Sequence, residues 1–193
     1  MKTSIPEHAF EPLNKAQLEL VWQWRNSQRI KQNMHNNAQV EWQEHCAWFE
    51  KFQTDPSRKF YVFLQNQRAI GVLNFSGLNT PTPEWGCYLG ETNVWPGSGI
   101  ILELAALDFT ASHSQFSHLI AQVLSFNHGA NKMHKVFEYE QVNIEKGGER
   151  NGLPFDILHY SYELKQWQQN RDKILAKLPK NIALAAAQIQ FLG

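Results

Sequence analysis

The sequence predicts an α/β (α+β) fold: a mixed, mostly antiparallel central sheet flanked by helices, with a helical C-terminal extension. Three observations carry this. Two amphipathic helical stretches precede three short runs rich in aromatic and β-branched residues. A Gly-Ser-Gly turn then opens an apolar helix between two strand-like runs. Finally, two strand-like runs flank a loop rich in glycine and asparagine.

The elements follow in order. Asn14 caps a helix over about residues 14–26, in which Leu18, Val21, Trp22 and Arg25 recur at helical spacing. Trp42, His45, Cys46, Phe49 and Phe52 mark a second helix, which Asp55-Pro56 ends. Residues 59–64 and 69–75 read as a hairpin around a polar turn, and 83–91 as a third strand. Leu102, Ala105, Ala106 and Phe109 give one face of a helix running from Gly99 to about Ser112. Residues 116–127 have the apolar density of a buried strand, and Asn127 caps the next helix, 128–137. A closing antiparallel pair spans 139–145 and 155–164. A helical tail starts near Gln166 and is broken at Pro179.

The 193 residues, 42% hydrophobic, suffice for one sizeable core. We therefore expect one domain over residues 1–165 and an extension, 166–193, docked on that domain or on a second copy as a homodimer. Lysine plus arginine equals aspartate plus glutamate, 18 against 18, which excludes global attraction to nucleic acid or anionic membrane. Any anion site must be local. Cys46 and Cys87 are isolated, no His-x-x-x-His pair occurs, and no apolar run approaches bilayer length. The N-terminal stretch lacks the apolar core of a secretion signal, so a reducing cytoplasm is the expected compartment, with no metal.

Backbone amides freed by Gly97 and Gly99 at a helix start form a nest for a phosphate, or else simply a tight turn. No lysine follows the glycines as a P-loop requires, and the turn opens a central helix rather than an N-terminal βαβ unit. A ligand held through its pyrophosphate remains.

This order of elements resembles the GNAT acetyltransferase superfamily over about residues 12–165. The resemblance implies that acetyl-CoA is the co-substrate. It implies too that the backbone at Tyr88-Leu89 runs along the pantetheine, and that Gly97-Ser98-Gly99, with Trp95 and Ile100 beside it, meets the pyrophosphate. Asn127 and Ala130 match the family's next landmark, and His134 stands where its tyrosine usually protonates the coenzyme A thiolate. Val94 replaces the glutamine or arginine often found upstream of the glycines. Trp24-Arg25-Asn26, Glu44-His45, the run from Glu84 to Tyr88 and the run from Asn127 to Ala130 are together similar to pseudaminic-acid-type enzymes, which acetylate a UDP-linked amino-deoxy sugar. The first of these also occurs in relatives that acetylate ribosomal-protein N-termini.

Acetyl transfer to an amine needs an unprotonated nucleophile, donors for the oxyanion and a proton for the departing thiolate. His134 is the expected proton donor, its alternative being a hydrogen-bonded core histidine. Glu84 and His45 are candidates for deprotonating the amine. Arg25, Asn26 and Trp85 are candidates for holding the acceptor. Trp22, Trp24, Trp42 and Trp48 join Trp85 as either a stacking wall for uracil or core. The expected activity is N-acetyl transfer to a nucleotide-linked amino sugar. The alternatives are transfer to a protein N-terminus or small amine, or acyl-CoA binding without catalysis.

Overall fold

A computed structural model describes residues 5–193. Its eight strands are β1 (His8–Pro12), β2 (Lys59–Gln65), β3 (Arg68–Ser76), β4 (Glu84–Leu89), β5 (His118–Leu124), β6 (Glu140–Arg150), β7 (Leu153–Glu163) and β8 (Ile189–Phe191). They form one sheet in the order β6-β7-β5-β4-β3-β2-β1-β8, antiparallel except at β4–β5 and β1–β8. The helices are α1 (Leu18–Asn26), α2 (Gln28–Lys31), α3 (Trp42–Gln53), α4 (Ser98–Ala111), α5 (His128–Val136), α6 (Leu164–Lys177) and α7 (Lys180–Ala186).

Local chemistry explains most boundaries. The Asn14 side chain accepts the Ala16 amide at 2.9 Å, but it caps a 3-10 turn, Lys15–Gln17, from which α1 continues. Asn66 and Gln67 both take positive φ, 49° and 65°, as a two-residue hairpin turn requires, and they join β2 to β3. Asn127 caps α5 by accepting the Ala130 amide.

Two apolar layers cover the sheet. On one face Leu18, Val21 and Trp24 of α1 and Phe49 of α3 pack on Val62 and Val72. On the other, α4 lies between the sheet and α6–α7, so its apolar residues are buried all round.

The tail differs from expectation at its end. Residues 189–191 are not helical: they form β8, parallel to β1, with Phe191 opposite Phe10. The Phe191 ring stacks on Phe10 at 4.9 Å and meets Tyr61 and Phe109 at 5.1 Å, so tertiary packing decides the conformation. Ile182, Ala185 and Ala186 of α7 join the main core, while Leu184 stays exposed.

The sheet is not uniformly zipped. β4 pairs with β3 over six residues, from Glu84↔Ser76 to Leu89↔Gly71. Towards β5 it makes one rung, Glu84↔Ile120, whereas β5 pairs along its whole length with β7. Beyond Glu84 the two parallel strands diverge.

Candidate active site

A cavity of about 860 Å³ opens where β4 and β5 part. Because side chains alternate along a strand, β4 serves both faces of the sheet. Tyr88 packs with the α1–α3 layer and Glu84 meets Gln122 of β5, while Trp85 belongs to the α4 layer. All four line the cavity, with Leu89, Asn127, Ala130 and His134. The far end of β4 is fixed by Arg29, whose Nη2 donates to the carbonyls of Leu89 and Gly90 at 2.8 and 2.7 Å.

The glycine turn sits at the start of α4. Gly97 has φ +124°, and a Cβ there would lie 2.9 Å from the Trp95 ring and 3.1 Å from Ile182, so only glycine fits. A Cβ on Gly99 would meet nothing within 4 Å; the turn is open on that side. The Gly97 carbonyl accepts the amides of Ile100 and Ile101 at 2.8 and 3.0 Å, and buried Ser98 donates its hydroxyl to the Trp95 carbonyl at 2.8 Å. Trp95 packs against the His8 ring, centroids 5.4 Å apart, and supports the turn from the core. Gly97-Ser98-Gly99 thus opens a helix of fourteen residues, and neither the turn nor Trp95 or Ile100 is among the residues that line the cavity.

On the α4 side, His134 is 4% exposed and its Nδ1 lies 3.2 Å from Oε1 of Glu103, an equally buried carboxylate in the middle of α4. The imidazole stacks on Tyr139 at 4.6 Å and meets Tyr160 edge-on at 4.8 Å. Burial and the neighbouring Glu103 charge push the Tyr139 phenol well above its ordinary range. Cys87 is open to the cavity, yet desolvation, reinforced by Glu103, raises its thiol far above the usual range.

The α1–α3 side is different. His45 is buried, with Nε2 3.1 Å from the Leu18 carbonyl; because a carbonyl only accepts, Nε2 carries the hydrogen and Nδ1 is a free acceptor. Burial, with Arg25 nearby, holds this imidazole below its ordinary pKa despite the Leu18 bond. Burial likewise raises the Glu84 carboxyl, against the pull of His35, His159 and the bond from Gln122 at 3.3 Å. Arg25 donates one Nη2 bond to the Asn36 carbonyl at 2.6 Å, and its buried Nη1 has no partner among the described residues. Trp48, Phe52 and Phe60 line the cavity beside it, Trp48 stacked on Phe52 at 5.6 Å.

Asn26 is not brought into the cavity. Its amide closes the loop after α2, donating to the Val40 carbonyl at 2.9 Å and accepting the Val40 amide at 2.8 Å. Trp24 is also elsewhere, buried against Gly90 with its indole bonded to Glu91, and Trp22 donates to Val40. Of the five tryptophans, Trp48 and Trp85 line the cavity. Sequence reasoning missed Glu103, Tyr139, Arg29 and Gln122. Glu103 had a readable signal, a carboxylate set between the apolar runs Ile100–Leu102 and Leu104–Leu107; the others depend on long-range packing.

Residues 9–137 match the model of the acetyltransferase (GNAT) domain. The chain belongs to the GNAT acetyltransferase family. It is therefore an N-acetyltransferase, with acetyl-CoA as co-substrate. A relative from Campylobacter jejuni, acetyltransferase PseH, is 29% identical over 126 residues, 65% of this chain and 78% of the relative. Among solved structures, spermidine N-acetyltransferase from Vibrio cholerae in complex with CoA and spermine superposes with a TM-score of 0.74, at 15% identity over 84% of this chain and 98% of that one. A domain from Methanocaldococcus jannaschii gives 0.66, at 20% identity over 82% and 99%. Among the described residues no helix is long and apolar enough to cross a membrane, and no group of three or more His, Cys, Asp or Glu is placed to hold a metal.

Proposed function

We propose that this GNAT enzyme acetylates the amino group of a nucleotide-linked amino-deoxy sugar. One observation carries the acceptor class: Arg25 holds a buried, unpartnered guanidinium nitrogen in a cavity walled by Trp48, Phe52 and Phe60. An unpaired buried cation costs stability unless a ligand supplies its counter-charge. A diphosphate answers Arg25, and a planar base answers the aromatic wall. Similarity to the PseH acetyltransferase supports the same reading.

In this mechanism the edge of β4 at Tyr88-Leu89 that faces away from β3, the Gly97-Ser98-Gly99 turn with Ile100, and Asn127-Ala130 hold acetyl-CoA. Trp95 acts from behind the turn. Glu84 or His45 accepts a proton from the ammonium: burial raises the Glu84 carboxyl, which makes it the stronger base, and lowers the His45 imidazole, which keeps it unprotonated and able to accept. The free amine attacks the thioester carbon, and a main-chain amide of β4 stabilises the oxyanion with little reorganisation. As the C–S bond breaks, His134 donates a proton to the thiolate and regains one from solvent. Trp85 shapes the wall between these steps. Transfer is direct, from the thioester to the amine within the ternary complex.

The test is a screen of acetyl-CoA with UDP-linked amino sugars, polyamines and N-terminal peptides, read by thiol release. The expected result is a kcat/KM for a UDP-amino sugar at least a hundredfold above the others. Preference for a peptide or polyamine overturns the acceptor assignment, and binding of acetyl-CoA without thiol release for any amine overturns turnover.

A further inference from the structure

We propose that Glu103 is the positioning residue for His134, fixing the imidazole so that Nε2 faces the reacting sulfur; this rests on the acid role assigned above. Glu103 is the one charged side chain in the buried body of α4, preceded by Ile100-Ile101-Leu102 and followed by Leu104-Ala105-Ala106-Leu107. A carboxylate at 3% exposure inside such a helix is costly unless it has a partner.

The partners converge from four elements. His134 of α5 approaches Glu103 Oε1 through Nδ1 at 3.2 Å. Tyr139, in the link from α5 to β6, stacks on the imidazole at 4.6 Å, and Trp85 of β4 lies against it at 5.8 Å. Tyr160 of β7 closes the fourth side. Yet Glu103 Oε1, both His134 nitrogens, the Tyr139 hydroxyl and Trp85 Nε1 are all buried without an in-line hydrogen bond. So many unmatched polar atoms in one place are a built arrangement awaiting realignment, since catalytic hydrogen bonds in unliganded sites are often long and tighten when substrate binds.

The chemistry follows from which nitrogen faces the carboxylate. A carboxylate accepts only, so it holds a hydrogen on Nδ1 and leaves Nε2 to take up a second proton; the imidazolium so formed gives its Nε2 proton to the departing sulfur and returns to the Nδ1–H form. Without Glu103 the ring is free to put its single hydrogen on either nitrogen, and the wrong tautomer cannot cycle.

Two measurements test this. Ring nitrogen NMR of the intact protein, with and without acetyl-CoA, is expected to show Nδ1 protonated in the wild type and mixed tautomers in Glu103→Gln. In a kinetic double-mutant cycle, with the acceptor found by the thiol-release screen, Glu103→Gln lowers kcat by about ten- to a thousandfold with KM for acetyl-CoA unchanged. In a His134→Phe background it adds no further loss, and Glu103→Asp recovers part of the rate. Should Glu103→Gln melt early, the Asp variant carries the NMR comparison. An unchanged ring in Glu103→Gln, or an equal kcat loss with and without His134, overturns the proposal. If instead His134→Phe keeps full kcat while Glu103→Gln still shifts the tautomer, the acid assignment falls and the contact stands.

Discussion

The two walls of the strand gap handle buried charge in opposite ways. On the α4 side an imidazole touches a carboxylate, and both are almost wholly enclosed. On the α1–α3 side the imidazole binds a neutral carbonyl, the carboxyl is pushed towards its neutral form, and a guanidinium is left with an unmatched nitrogen. The lesson is that one wall sets its buried imidazole against a carboxylate of the protein, while the other leaves a cation for a ligand to match. An internal carboxylate partner suits a proton donor; an unmatched charge suits recognition.

The contrast is broken most severely at His134. Replacement by Phe is expected to keep acetyl-CoA binding and lower the single-turnover rate by about ten- to a thousandfold, as loss of a general acid does. Equal rates in quench-flow would make His134 packing. Arg25→Met, which keeps the apolar stem, should instead raise KM for the acceptor by about ten- to a hundredfold, the size of a lost charged hydrogen bond, with little change in kcat. A fall in kcat alone would assign Arg25 to chemistry and blur the distinction between the walls.

Glu84→Gln sharpens the comparison through pH. Burial raises the Glu84 carboxyl, so wild-type kcat/KM should fall as pH drops through that raised value, and the variant should be slow but flat there. The stability sign is opposite. A native pKa above the unfolded one makes the ionised group a cost that grows as pH rises, so the variant should gain thermal stability at neutral pH. Superposable pH profiles would remove Glu84 from the base role.

The smallest effect on catalysis is expected at His8, outside both walls. Desolvation lowers its pKa from 6.5 to about 4, so the folded state resists a proton that the unfolded chain accepts. Stability should be lost as pH falls from about 6.5 towards 4, by up to roughly 3 kcal/mol. His8→Phe should keep its melting temperature between pH 7 and 5 where the wild type declines. Parallel declines would show that another group dominates acid sensitivity.

Legibility in the sequence followed the range of the interactions involved. β2, β3 and β7 carry enough aromatic and β-branched residues to declare themselves, and Asn127 and Gly97 sit where local backbone needs name them. β1 and β8 were not legible: one is five residues ending in proline, the other three, and each is a strand because its neighbour is there. In the candidate site, Arg25 and His134 were readable from motif position. Asn26 was assigned to the acceptor from that same position, yet its amide is committed to Val40, a contact fourteen residues away. Tyr139 and Gln122 reach their neighbours only after the sheet has assembled.

The single rung at Glu84↔Ile120 has a wider implication. Past it, β4 offers amides and carbonyls that no neighbouring strand claims on that edge. A handle built from peptide groups is indifferent to which side chains hang from it, so nearly every residue along that edge is free to change while the handle persists. That is how an architecture can be shared at 15% identity, since the backbone of the sheet persists while its side chains change.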